Sequence, residues 1–183
     1  NTSNQMGTTG DFVKIFEQNG FKMENMGKMS FFSNIIVPYR DLTGGADMNL
    51  LANKEGTLLE NKSGKDRGTM IQENGAAFYI TDKTGYDSFY RIRKHVALGY
   101  YSEGATLEEL AEKLGIPAAN LEATVKSYNE HVDAGDTDEF GRDFSADAIT
   151  KNPSYCAAIN KIEGEHYYAI PLKALVVMTL GGV

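Results

Sequence analysis

The chain has 183 residues, 42% of them hydrophobic, with 25 acidic against 18 basic side chains and a net charge of −7. That apolar share excludes a disordered polymer, and the negative balance repels phosphate backbones, so no nucleic acid is expected as a partner. The single cysteine, Cys156, excludes an internal disulfide and a cysteine-based metal site. No run of roughly 18 apolar residues is present, so no membrane span is expected. The length suits one domain, with or without segments of a neighbour. A start at Asn1, with no charged-then-apolar leader, is what an excised or processed piece would show. The compartment stays open between cytoplasmic and exported.

In chain order, residues 11–18 (DFVKIFEQ) read as a short amphipathic helix, capped by Thr9 or Asp11 and stopped by Gly20. Residues 29–37 are apolar and β-prone up to Pro38, which predicts a strand. Met48 to Ala52 and Thr57 to Leu59 flank Asn53-Lys54-Glu55-Gly56, a hairpin signal. A charged stretch from Lys62 opens a helix through Gln72; Ala76 to Ile80 follows as a strand, and Tyr86 to Val96 as a helix. Thr106 with Glu109 forms a capping box before the apolar stripe Leu107, Leu110, Ala111 and Leu114, and Gly115 ends that helix. Pro117 suits the first turn of a second helix with the stripe Leu121, Val125, Tyr128 and Val132. Residues 136–165 are irregular, and Tyr167 to Leu180 is extended. Without regular β-α alternation this is an α+β fold, a small sheet packed with a helical hairpin.

Little local chemistry stands out. His95, His131 and His166 lie far apart in sequence, and none sits in an H-E-x-x-H context, so no metal is expected. There is no G-x-S-x-G elbow, no complete G-x-G-x-x-G and no Walker lysine. Residues 107–117 have the look of half a helix-turn-helix, but the following helix sets Glu122, Glu130 and Asp133 against Lys126, the wrong sign for a recognition helix.

From Ala105 to Arg142 the sequence resembles the fumarate reductase and succinate dehydrogenase flavoprotein superfamily, most closely its soluble fumarate reductase and 3-ketosteroid dehydrogenase branches. Tyr128-Asn129, Gly135-Asp136 and Phe140-Gly141-Arg142 match a Y-N, acidic turn, D-x-x-F-G-R signature. Gly7-Thr8-Thr9-Gly10-Asp11 is similar to the T-G-D-G piece, and residues 51–56 to the V-N-x-x-G hairpin. Tyr167 to Ile170 and Thr179 to Gly182 are similar to F-Y-A-x and T-x-G-G.

The resemblance implies FAD in a larger parent, with residues 1–28 ending a first FAD-binding segment, 29–166 forming a capping domain, and 167–183 returning to the flavin domain. Its partners would be the rest of that domain and a small-molecule substrate. The parent would reduce or form a carbon–carbon double bond beside a carbonyl or carboxylate, while the isolated piece would be inactive and without FAD. On this basis Gly10, Asp11, Gly181 and Gly182 are the cofactor-binding candidates, although Asp11 is read first as a helix cap. Phe32, Asn34, Met178 and Thr179 are the substrate-binding candidates. Tyr168 is the candidate acid or base, or simple packing; Lys65 precedes Asp66 where the family has its catalytic arginine, with Arg67 following, and both are read first as solvated charges at a helix start. The family's H-P-T reads Phe32-Ser33-Asn34 here, and its two histidines read Val177-Met178. Each missing charge-assisted hydrogen bond to a dicarboxylate is worth roughly 1.5–3 kcal/mol, so a larger, less charged substrate such as an enone is expected. A non-catalytic binding module derived from the same fold is the alternative.

Overall fold

The computed structural model describes residues 9–36, 39, 41–42, 50–59, 67–147 and 160–179, with side chains left aside at 29–34, 67 and 177–179. Its frame is a five-stranded antiparallel sheet. The strands are β1 (Met29–Ile36), β2 (Leu50–Asn53), β3 (Ala77–Asp82), β4 (Ser102–Gly104) and β5 (Tyr167–Thr179). The order is β1-β5-β3-β2, and β4 also pairs with β5. Along one edge β5 meets β4 up to Ala169 and β1 from Leu172 onward, so Pro171 falls in the gap between two ladders, where a strand tolerates proline.

Helices cover both faces of this sheet. On one, α2 (Arg67–Asn74), α3 (Lys83–Ser88) and α4 (Tyr90–Ala97) bring Met70, Ile71 and Ile92 onto Ile36, Leu51, Tyr79, Tyr168, Ile170 and Leu172. On the other, α5 (Leu107–Leu114) and α6 (Ala118–Ala134) bring Leu110, Leu121, Val125 and Tyr128 onto Leu50, Ala52, Ile80 and Ala169. Successive strand residues point to opposite faces, so a sheet covered twice needs largely apolar runs, and that is how β2, β3 and β5 read. The α+β expectation holds. The expected hairpin covers one face, and α2–α4 add a second helical layer.

Several local expectations change. Helix α1 (Asp11–Gln18) has Gly10 as its N-cap, which has no side chain to give; Asp11 is already the first helical residue and accepts from Thr9 Oγ1 at 2.6 Å. Gly20, at φ +69°, ends α1 as expected, with Phe21 N donating to Phe16 O and Gly20 N to Glu17 O. The capping box is displaced by one residue: Thr106 Oγ1 accepts from Glu109 N, while Glu109 Oε2 accepts from Ala105 N rather than Thr106 N. Pro117 is the N-cap of α6 rather than its first helical residue. The single helix expected over 86–96 is two, because Asp82 caps α3 through Thr84 N and Gly85 N and Phe89 breaks to an extended backbone. The short strand β4 was not foreseen from the sequence.

Candidate active site

The β1–β5 ladder carries the candidate site. Met29 pairs with Thr179 and Ser30 with Met178, but Phe31 pairs with Val176, leaving Val177 unopposed. Phe32 then pairs with Leu175 and Ile35 with Lys173, so Ser33 and Asn34 together oppose Ala174 alone. One extra residue on each strand restores the register. Bulges bend a strand and re-aim its side chains, and they cluster beside active sites. Two opposed, cancelling bulges thus fall on the Phe32-Ser33-Asn34 and Val177-Met178-Thr179 segments singled out above. The same pairing sets Met29 beside Thr179.

Helix α2 packs against both strands, with Arg67 as its first residue. A cation at the positive end of a helix dipole is unfavourable unless an anion or polarised oxygen joins it. The backbone therefore gathers Arg67, Phe32, Asn34, Met178 and Thr179 onto three mutually packed elements. Lys65, Gly181 and Gly182 lie outside the described residues.

Tyr168 is elsewhere. It pairs with Thr81 and Glu103 near the start of β5, roughly 35 Å from Thr179 at about 3.3 Å per strand residue. Its ring is buried, stacked on Tyr86 at 5.0 Å and 11°, with the edge of His166 at 4.9 Å. Burial, then Glu103, Tyr86 and Asp87, push its phenol above the ordinary tyrosine value. Tyr168 and Met178 thus stand ten residues apart on β5, so the candidate acid or base lies on a different part of the strand from the bulges.

Gly10 has φ +74° and no atom within 4 Å of where a Cβ would stand, so a cofactor could approach its backbone closely. Beside it α1 buries nothing and leaves Phe12 72% and Ile15 47% exposed. Among the described residues no group of three His, Cys, Asp or Glu side chains could hold a metal, and no helix is long and apolar enough to cross a membrane.

The Y-N and D-x-x-F-G-R residues have structural work. Asn129 exchanges two bonds with Ile162, at 3.0 and 2.8 Å, as a strand partner would, and Tyr128 Oη donates to Asn160 O. Asp138 Oδ1 accepts from Phe140 N and Arg142 N, and the Arg142 guanidinium stands 5.3 and 5.0 Å over the Tyr128 and Phe144 rings. These contacts fasten the segment that leads into β5 onto α6. Beside them is a cavity of about 350 Å³ whose lining includes Leu58, Thr124, Ser127, His131, Glu139 and Phe140. No sequence pattern announced it.

A family model described as an FAD binding domain matches residues 1–183. The chain belongs to the FAD binding domain family. Within it, the chain is 29% identical over 199 residues to the NADH:acrylate oxidoreductase of Vibrio harveyi, a match covering 100% of this chain and 18% of that protein. The open conformation of a flavocytochrome c3 fumarate reductase has a TM-score of 0.78 at 22% identity, covering 100% of this chain and 31% of its own. A 3-ketosteroid delta1-dehydrogenase from Sterolibacterium denitrificans, in complex with 1,4-androstadiene-3,17-dione, has a TM-score of 0.69 at 21% identity, covering 100% and 38%. At those identities the two structures speak for the fold. The chain spans well under half of each of these relatives, and the family match runs its whole length without marking off a cap.

Proposed function

We propose that this chain is the substrate-capping part of an FAD-dependent oxidoreductase that reduces or forms a carbon–carbon double bond beside a carbonyl or carboxylate. The observation that carries the proposal is the pairing of Met29 with Thr179 through two cancelling bulges. It lets the polypeptide leave a flavin-binding body, fold as a lid and return at one place. Residues 1–28 and 167–183 belong to that body's edge in this reading, and 29–166 to the lid.

The substrate would lie against the segments holding Phe32, Asn34, Met178 and Thr179. Arg67 at the start of α2, with Lys65 just before it, supplies positive charge where a carbonyl or carboxylate oxygen gains electron density. Bound FAD would supply hydride transfer, and this chain's task is to orient the substrate and exclude water. Gly10 and Asp11, with Gly181 and Gly182, would meet the cofactor from the chain's two ends. Phe32, Val177 and Met178, in place of polar groups, favour a less charged acceptor than a dicarboxylate. The same residues support a second reading, a binding module that no longer catalyses.

A full-length protein containing this chain, purified and supplied with a dye donor, separates the two. Turnover of an enone or enoate that falls at least a hundredfold on Arg67→Ala supports the enzyme. Flavin retention with no turnover across both substrate classes supports the module. Stoichiometric flavin absorbance in the isolated 183-residue chain would contradict the division of the cofactor site proposed here.

A further inference from the structure

Far from β1 and the C-terminal half of β5, His131 stands in the last turn of α6 and lines the 350 Å³ groove. Its two ring nitrogens face two carboxylates of one turn, residues 136–144. Nδ1 is 2.6 Å from Asp136 Oδ1, and Nε2 is 3.8 Å from Glu139 Oε2. A neutral imidazole has one N–H and can serve only one of them, whereas imidazolium serves both. The carbonyl end of α6 adds a field that favours the cation. The ring also lies over Phe144, with centroids 5.9 Å apart and planes 17° from parallel.

The other charges nearby are already engaged. From the turn, Asp138 accepts two backbone N–H groups and Arg142 covers Tyr128 and Phe144. On α6, Glu130 faces Lys126 at 3.9 Å; Asp133 is held at 2.6 Å by Lys161, from the segment before β5. The turn's internal bonds, Phe144 N to Asp136 O and those to Asp138, give it shape. The His131 pair and the ring stacks help to dock it on α6. Glu139 and Phe140 form its free edge and the groove's wall.

We propose that His131 is a proton-operated latch, whose imidazolium holds the Glu139 edge of the 136–144 turn onto α6 and narrows the groove, and whose deprotonation releases that wall. The Asp136 hydrogen bond is the main cause lifting the His131 ring above the ordinary imidazole value, with burial opposing and Asp136, Asp138 and Glu139 adding attraction. A raised value in the folded protein means the latch is fully closed below the ordinary value and opens as pH rises through the raised one.

Hydrogen exchange of the Phe140–Arg142 amides, corrected for intrinsic pH dependence, reads the closing equilibrium of the turn. In the 183-residue chain, protection falls roughly three- to tenfold between about pH 5.5 and 9, in step with the His131 ring titration. His131→Gln keeps a donor toward Asp136 without the charge, and its protection is flat with pH at the open level. Glu139→Gln, at a side chain 60% exposed, shrinks the step without abolishing it, because the Asp136 pair remains. A pH-flat wild type, a step surviving in His131→Gln, or a step undiminished in Glu139→Gln overturns the latch.

Discussion

Asp82 offers the most quantitative test of how the sheet is held together. Its carboxylate is 1% exposed and sits at the end of β3. Oδ1 accepts from Thr84 N at 2.9 Å and Gly85 N at 3.2 Å, capping α3. Oδ2 accepts from Glu163 N at 3.2 Å and Gly164 N at 3.0 Å, fastening the turn before β5. Asp82→Ala removes both acceptor oxygens and all four hydrogen bonds. The lost cap costs about 1 kcal/mol, and each N–H left at 163 and 164 about 1–2 kcal/mol, for a total of about 3–5 kcal/mol. Asp82→Asn keeps the cap oxygen but turns an amide NH2 toward two donors, costing about 1–3 kcal/mol. Urea unfolding of the purified chain, with unchanged m-value, measures both. A loss below about 1 kcal/mol for Asp82→Ala would refute the clamp, because domains of this kind have only about 5–15 kcal/mol in hand.

Other expectations follow from single contacts. Asn129→Ala leaves Ile162 N and O without their partner and lowers stability by about 1–3 kcal/mol in the same urea titration. Gly104→Ala places a Cβ 2.7 Å from Leu110 N and 2.9 Å from Thr106 O, both backbone, so α5 must shift; a loss of about 2–3 kcal/mol, read by thermal unfolding, is expected. Tyr168→Phe leaves the turnover of a full-length parent within about twofold while Tyr168→Ala destabilises it by about 3–5 kcal/mol, as steady-state kinetics and calorimetry would show.

What the sequence disclosed, and what it withheld, follows from locality. Helices α1 and α5 emerged at their observed bounds because Gly20 and Gly115, both at positive φ, and the Thr106 cap are local signals. β5 was legible because thirteen residues of extended, apolar character leave few alternatives. β4 was not, since Ser102-Glu103-Gly104 has no strand propensity and is extended only because Tyr167–Ala169 pairs with it. The break at Phe89 depends on Asp82 capping α3, and Asp82 is itself tied to residues 163–164 far along the chain. For the site, the segments around Phe32 and Met178 came from resemblance, whereas the cancelling bulges are a property of two paired strands that neither strand reveals alone. Tyr168 shows the complementary point: a motif match fixes a residue's place in sequence but not which end of a long strand faces the chemistry. Likewise the Y-N and D-x-x-F-G-R residues, the strongest signature in the chain, turn out to fasten loops onto α6.

The central claim proposed is that the chemistry lies along the bulged β1–β5 ladder on which α2 packs, and not at Tyr168. Reoxidation of reduced flavin by an enone or enoate, followed by stopped flow in a full-length parent, tests it by comparing Arg67→Ala with Tyr168→Phe. The account predicts a loss of at least about a hundredfold for the first and almost none for the second. A reoxidation rate that survives Arg67→Ala but collapses on Tyr168→Phe would place the chemistry at the opposite end of β5 and contradict it.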